Sequence, residues 1–395
     1  MPVDPGQPPG VEPGLARLDL DLEHHRPSHR DRSSRYLTGS RDQGGGRMDK
    51  VMVETSRLRT HCFVSGPEDG VPVLLVHGNI TTGRFWQDVA DGFPGGYRLV
   101  APDLRSFGRT ERKPVDATRG LRDWSDDLHA LVEALGWAGD GRLHIAGWSN
   151  GGGVVQQYAL DHAGELATIT LVAPLAPYGF GGSKDVHGTP CWDDWAGTGG
   201  GTAAPDFVRR MAAGDTSEED PVSSPRVVMR TFFWSPAYKA PDEDELMDEV
   251  LRTAVGDTGY PGDTTSSPNW PGVAPGRSGV NNAFAGKWCD TSAFADLAVK
   301  PPVLWLRGDQ DQVISDESMF DFGTLGKLEA VPGWPGMEVF PPQPQIAQTR
   351  AMLDRYAAGG GSVRELVFEG CGHCPPIERS AEVREQLLAH IEGAA

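Results

Sequence analysis

The sequence predicts an α/β fold: a mostly parallel sheet with helices on both faces, an inserted and mainly helical cap, and a second lid-like excursion. Three observations predict it. Short apolar runs of strand length recur at residues 71–76, 97–101, 143–146, 167–173 and 302–306. Such unbroken apolar runs suit strands buried on both faces, and the helix-period segments between them suit a parallel sheet. The alternation then stops between Pro174 and Pro301, where Gly-rich loops and short helical pieces take over. Finally, the 143–146 run leads into Gly147-Trp148-Ser149-Asn150-Gly151 and then Val154, Val155, Tyr158 and Ala159 at helical spacing. That is strand, sharp turn and helix, with a serine at the apex.

Taken in order, residues 1–50 are rich in Pro, Gly, Arg, Asp and Ser and lack apolar periodicity, so a disordered leader is expected there. Order is expected from about Thr55, with a strand at 58–64 and a turn at Gly66, Pro67 and Gly70. The 71–76 strand ends in His77-Gly78-Asn79; Phe85, Trp86 and Val89 suggest a helix behind it. The 97–101 strand is followed by Asp103-Leu104-Arg105-Ser106-Phe107-Gly108-Arg109. Trp124, Leu128, Leu131, Val132 and Leu135 then mark an amphipathic helix that Gly136 ends. Residues 51–174 thus read as the first part of the core. Residues 175–300 read as the cap, with helical pieces at 207–212, 226–233 and 243–254, because a coreless loop of that length is improbable. Residues 301–395 complete the core, with the excursion at about 315–361, a last strand at 366–369 and a closing helix carrying Val383, Leu387, Leu388 and Ile391.

Composition bounds the function. The chain has 395 residues, 38% of them hydrophobic, with a formal charge of −19 and a pI near 4.9. Such a surface repels nucleic acid and anionic membranes. No apolar run is long enough to span a bilayer, and the N-terminus lacks a signal-peptide pattern. Five scattered cysteines do not make a disulfide framework. A cytoplasmic protein with a small-molecule substrate, no membrane or nucleic-acid partner and no cofactor is expected.

The serine turn carries the chemistry. Glycines two positions either side allow the strained backbone that lifts the Ser149 hydroxyl out of the sheet. The helix N-terminus behind it favours an anion formed beside the serine. A serine needs a base, and His373 follows the last strand in a loop at the same sheet edge. His129, His144 and His162 read instead as ordinary core or surface residues. The base needs an acid to fix its tautomer, and Asp311 or Asp309, after the resumed strand, supplies one. Cys371 and Cys374 frame His373 but lack further ligands for zinc, so no metal site is expected and they read as small packing side chains. The acidic run 242–249 reads as a solvated helix face.

On these residues the chain resembles the α/β-hydrolases of the capped esterase and lactonase kind. The resemblance runs from Thr55 to the C-terminus, apart from the cap and the excursion. It rests on His77-Gly78-Asn79, Asp103-x-Arg105-x-x-Gly108, Gly147-Trp148-Ser149-Asn150-Gly151, Gly308-x-x-Asp311-x-Val313 and Gly372-His373. It implies a triad of Ser149, Asp311 and His373, favouring Asp311 over Asp309. It also implies an oxyanion hole from the backbone amides of Asn79 (with Ile80 a near alternative) and Asn150. Members with an aspartate nucleophile attack epoxides and alkyl halides, and Ser149 stands against that chemistry. Hydrolysis of a carboxylic ester or lactone is expected; amide or C–C bond cleavage by the same triad, or ligand binding without turnover, are the alternatives. The tryptophans of the cap and excursion either line a deep pocket for a bulky apolar substrate or hold the cap to itself.

Overall fold

The computed structural model describes residues 37–38 and 47–394. The expected leader therefore falls largely outside the described residues. Within them, pairing starts earlier than Thr55. Strand β1 (Leu37–Thr38) and β2 (Asp49–Glu54) already belong to the sheet, with Leu37 opposite Val53. Met48 and Val53 are buried, so the D-K-V-M-V-E alternation has an inward face that begins before the expected boundary.

Strands β3 (Arg59–Ser65), β4 (Val71–Val76), β5 (Tyr97–Pro102), β6 (Leu143–Trp148) and β7 (Leu166–Val172) follow. The nine strands of the sheet, which β12 (Val303–Gly308) and β13 (Val363–Phe368) complete, are ordered β1-β2-β3-β5-β4-β6-β7-β12-β13. Neighbours from β5 to β13 run parallel and the β1–β3 end is antiparallel. Parallel neighbours need covering on both faces. Helices α1 (Gln87–Ala90), α2 (Arg122–Ala134) and α3 (Asn150–His162) alternate with the early strands, α2 packing on α3.

The segment expected as a cap is the insertion between β7 and β12. It holds α4 (Pro205–Ala212), α5 (Pro225–Phe232), α6 (Glu243–Val250) and α7 (Val280–Ala283). It also holds two small two-stranded sheets, β8 (Val255–Gly256) with β9 (Tyr260–Pro261) and β10 (Thr264–Ser266) with β11 (Val273–Pro275). The remainder is loop, which its Gly and Pro content dictates.

Two expectations are corrected here. Beyond α8 (Phe322–Lys327), the excursion contains a 14-residue helix, α9 (Gln345–Ala358), packed on β13. It is the crossover helix of the last parallel pair, so the excursion carries regular structure that the sequence did not show. The acidic run of α6 is likewise not solvated along its length. Glu249 is 3% exposed; Arg109 clamps it with two hydrogen bonds and the Thr82 hydroxyl donates a third. Asp242 and Glu245 pair with the buried Arg84. These acids fasten the cap to the core. Helices α10 (Pro375–Glu378) and α11 (Ser380–Glu392) close the chain, α11 packing against α1 and β7.

Candidate active site

The turn after β6 is built from main-chain contact. Ser149 has φ +57° and ψ −124°, a region that costs an L-residue strain. A Cβ on Gly147 would lie 2.3 Å from the Gly151 carbonyl oxygen, and one on Gly151 would lie 2.5 Å from that of Val76. Only glycine fits at either place, which aims the serine away from the sheet.

Three loops at the carboxyl ends of the strands meet there. His373 Nε2 is 2.9 Å from Ser149 Oγ, and its Nδ1 is 2.8 Å from Asp311 Oδ2. An ionised carboxylate only accepts, so the ring proton sits on Nδ1 and leaves Nε2 free to accept from the hydroxyl. The other Asp311 oxygen accepts the Val313 and Ile314 N–H groups at 2.7 and 2.9 Å, which fixes the carboxylate. Asp309 is spent elsewhere, accepting from the Gly370 N–H at 2.7 Å. All three triad side chains are buried, which strengthens each polar contact. An imidazole so placed can take a proton from the serine and return it to a leaving group.

The loop after β4 lies against Ser149, since a Cβ on Gly78 would be 3.0 Å from the serine Cβ, and the Asn79 and Asn150 N–H groups donate to no other group among the described residues. The Ile80 N–H is taken by Asn79 Oδ1 at 3.0 Å, so the alternative donor is occupied. Asn79 Nδ2 also reaches Asn281 Oδ1 of α7 at 3.3 Å, bringing the cap to this spot. Both side-chain polar atoms of Asn150 are buried and have no partner among the described residues.

Several supporting residues escaped the sequence. His77 Nε2 accepts the Leu104 N–H at 2.8 Å while Nδ1 donates to the Gly78 carbonyl at 2.7 Å, so one ring joins the loops after β4 and β5. Burial pulls its pKa down to about 4 and keeps it neutral. Asp103 accepts from His61, Gly83 and Arg109. Burial pushes its pKa up, but the His61 bond and charge outweigh that and hold it below the usual carboxylate range. Gly108, at φ +58°, leaves room for that carboxylate, since a Cβ would lie 2.0 Å from Asp103 Oδ2. The Trp148 indole donates to the His373 carbonyl at 2.7 Å. Glu378 accepts the Gly372 and Ser235 N–H groups, pinning the base loop and a cap segment together. Motif position hinted at His77 and Asp103; nothing local marks Trp148 or Glu378.

The expected C-x-x-C role is consistent with burial: both thiols are buried and pushed up by desolvation, far from reactive thiolates. The tryptophans favour packing over pocket. The Trp270 indole donates to Pro332, that of Trp288 to Gly276 and that of Trp334 to Phe340, all backbone carbonyls within the insertions. A cavity of about 630 Å³ lies at the cap junction, lined by Ser106, Arg112, Lys113, Met211 and Leu251 among others, and no triad residue or tryptophan borders it.

Comparison with known proteins places this geometry in context. A family model described as alpha/beta hydrolase fold matches residues 71–325. The chain is 28% identical over 138 residues to a haloalkane dehalogenase of Mycobacterium marinum, covering 33% of this chain and 43% of that protein. It is 32% identical over 123 residues to a cis-3-alkyl-4-alkyloxetan-2-one decarboxylase of Xanthomonas campestris, covering 28% and 40%. The chain thus spans less than half the length of these curated relatives. Among solved structures, an esterase from Rhodococcus sp. ECU1013 superposes with a TM-score of 0.53 at 18% identity, covering 88% of this chain and 100% of that one. At that identity the likeness concerns the fold.

Proposed function

This chain belongs to the α/β-hydrolase fold family, and from that premise we propose that it is a serine hydrolase cleaving a carboxylic ester or lactone through an acyl-enzyme. The observation that carries the proposal is the His373 ring, within hydrogen-bond reach of Ser149 on one side and Asp311 on the other. Asp311 holds the Nδ1 proton and stabilises the imidazolium. His373 takes the serine proton as Oγ attacks the carbonyl carbon. The Asn79 and Asn150 amides receive the oxyanion, each such donor being worth about 10²–10³ in rate. The proton passes to the leaving alkoxide, and His373 then activates water to release the acid.

Ester chemistry is favoured over dehalogenation because the position at the turn is serine rather than aspartate. The lactone arm draws support from the oxetan-2-one, a four-membered lactone, in one relative's name. A bulky apolar substrate is proposed from the extent of the cap alone, since its bonded tryptophans are committed to packing. No helix among the described residues is long and apolar enough to cross a membrane. Five unpaired, buried cysteines support a reducing, cytoplasmic setting.

A panel of p-nitrophenyl esters of rising chain length, with lactones and amides alongside, tests the substrate class. Ser149→Ala is expected to lower kcat on the best ester by about 10⁴-fold or more at unchanged Tm, and to abolish fluorophosphonate labelling. Full ester hydrolysis by that variant would remove Ser149 as nucleophile. Wild-type protein that labels no faster than free serine, yet binds esters, would instead identify a receptor.

A further inference from the structure

Far from the triad, at the opposite end of α3, three side chains that the sequence left unconnected come together. His129 of α2 and His162, the last residue of α3, stack with ring centroids 3.8 Å apart and planes within 8°. Glu165, in the turn that follows, brings a carboxylate oxygen to 3.5 Å from His129 Nδ1. One ligand-capable atom from each lies within 4.8 Å of the other two.

We propose that His129, His162 and Glu165 form a binding site for a divalent transition-metal cation of the zinc class. Four observations argue for it. His129 Nδ1 is buried and has no hydrogen-bond partner among the described residues, a lone pair or proton left without use. Such orphaned groups are costly, and an unplaced ion is one physical reason for them. Glu165 is already oriented: the buried Tyr158 hydroxyl donates to its Oε2 at 2.6 Å, the outer-shell support that ligating carboxylates usually have. The local charge is negative, because Glu133 lies 3.8 Å from His129 Nε2 and no lysine or arginine among the described residues pairs with Glu133 or Glu165. The site also sits at the C-terminal end of α3, where the helix dipole favours a cation.

Two imidazoles and a carboxylate select the zinc, nickel and cobalt group over magnesium and calcium, which want an all-oxygen shell. In tetrahedral geometry the two ring nitrogens would stand about 3.4 Å apart with converging lone pairs. The stacked rings therefore need only pivot apart about their side-chain bonds. A bound ion would staple α2 to the helix that carries the nucleophile, 13 residues from Ser149 and clear of the reaction.

The test uses untagged full-length protein stripped with EDTA, titrated calorimetrically at pH 7.5 with NiCl₂, ZnCl₂ and MgCl₂, with Tm read in parallel. His24, His25, His29 and the cysteines also offer ligands, so the comparison with variants carries the result. Wild type is expected to bind one more equivalent of Ni²⁺ and Zn²⁺ than the H129A/H162A double variant, to gain several degrees in Tm, and to ignore Mg²⁺. Glu165→Gln, which keeps the ring stack, is expected to weaken that equivalent about 10–100-fold. Ester hydrolysis by both variants, at the wild-type rate without metal, certifies that they fold. Equal stoichiometry and equal Tm response in wild type and both variants would overturn the site, as would selectivity for Mg²⁺.

Discussion

The edge of the sheet that carries the triad and the junction that carries the cap are built on different physics. At the edge, backbone meets backbone: Gly147 against Gly151, Gly151 against Val76, and a buried neutral imidazole, His77, tying two loops. At the junction, long charged side chains reach across: Arg84 to Asp242 and Glu245, Arg109 to Glu249. The first arrangement tolerates almost no displacement. The second is adjustable in geometry but costly to leave half-made, because a buried charge that loses its partner cannot return to water. The close-packed part thus sets the position of Ser149, and the charged part sets where the inserted segment sits.

The sharpest way to break this comparison lies at the edge, where two acids two residues apart have opposite fates. Asp311→Asn is expected to lower kcat by about 10³–10⁴-fold through the wrong imidazole tautomer. Asp309→Asn, which affects only a loop bond to Gly370, is expected to stay within about twofold. Comparable losses in the two variants would show that the acid is misassigned.

At the junction, Glu249→Gln weakens the bonds from Thr82 and from the partly exposed Arg109 and is expected to cost about 1–3 kcal/mol, read by denaturant unfolding. Fluorophosphonate labelling of Ser149 below the transition is expected to persist. Loss of labelling with stability intact would mean that the cap, not the sheet edge, sets the nucleophile.

A pH titration separates the two regions with a smaller effect per residue. Burial pulls His77 and His144 down to about 4, His390 adding to the effect at His144. Their folded pKa values lie below the unfolded value of about 6.5, so unfolding takes up protons between the two. The stability they contribute is complete above about pH 6.5 and drains away as pH falls toward 4. Over that window the expected loss is about 2–5 kcal/mol for the two together. At the junction, burial pushes Glu245 up, but its arginine partners outweigh it and hold it below the usual carboxylate range, so that pair survives most of the window. A Tm flat from pH 7 to 5, or an unchanged slope in His144→Gln, would contradict this division.

Much of the edge was legible because each motif is local and sits where a strand ends. The apolar runs located the strands of the large sheet from β3 onward to within a few residues, though not β8 to β11 of the insertion; the glycines marked the turn, and chain order supplied base and acid. Two parts were not legible. Helix α9 hides because its buried face is only partly apolar: Met352, Leu353 and Tyr356 are joined there by buried Gln345, Gln348 and Thr349. Gln348 donates to Ser183 and Asp185 and accepts from Gln343, so polar side chains fill a face that periodicity assigns to loop. The clamp on α6 hides because its partners, Arg84 and Arg109, lie more than a hundred residues upstream. A charge run shows its sign in one dimension and its partners only in three.

The steric fit around Ser149 has an evolutionary corollary. Because the hydroxyl is aimed by peptide groups and not by the side chains that surround a ligand, those side chains are free to drift. Selection for a new substrate can rewrite much of the insertions, provided that the contacts of Ser235 with Glu378 and of Asn281 with Asn79 stay in place. Replacing either flanking glycine, by contrast, closes every such lineage at a single step.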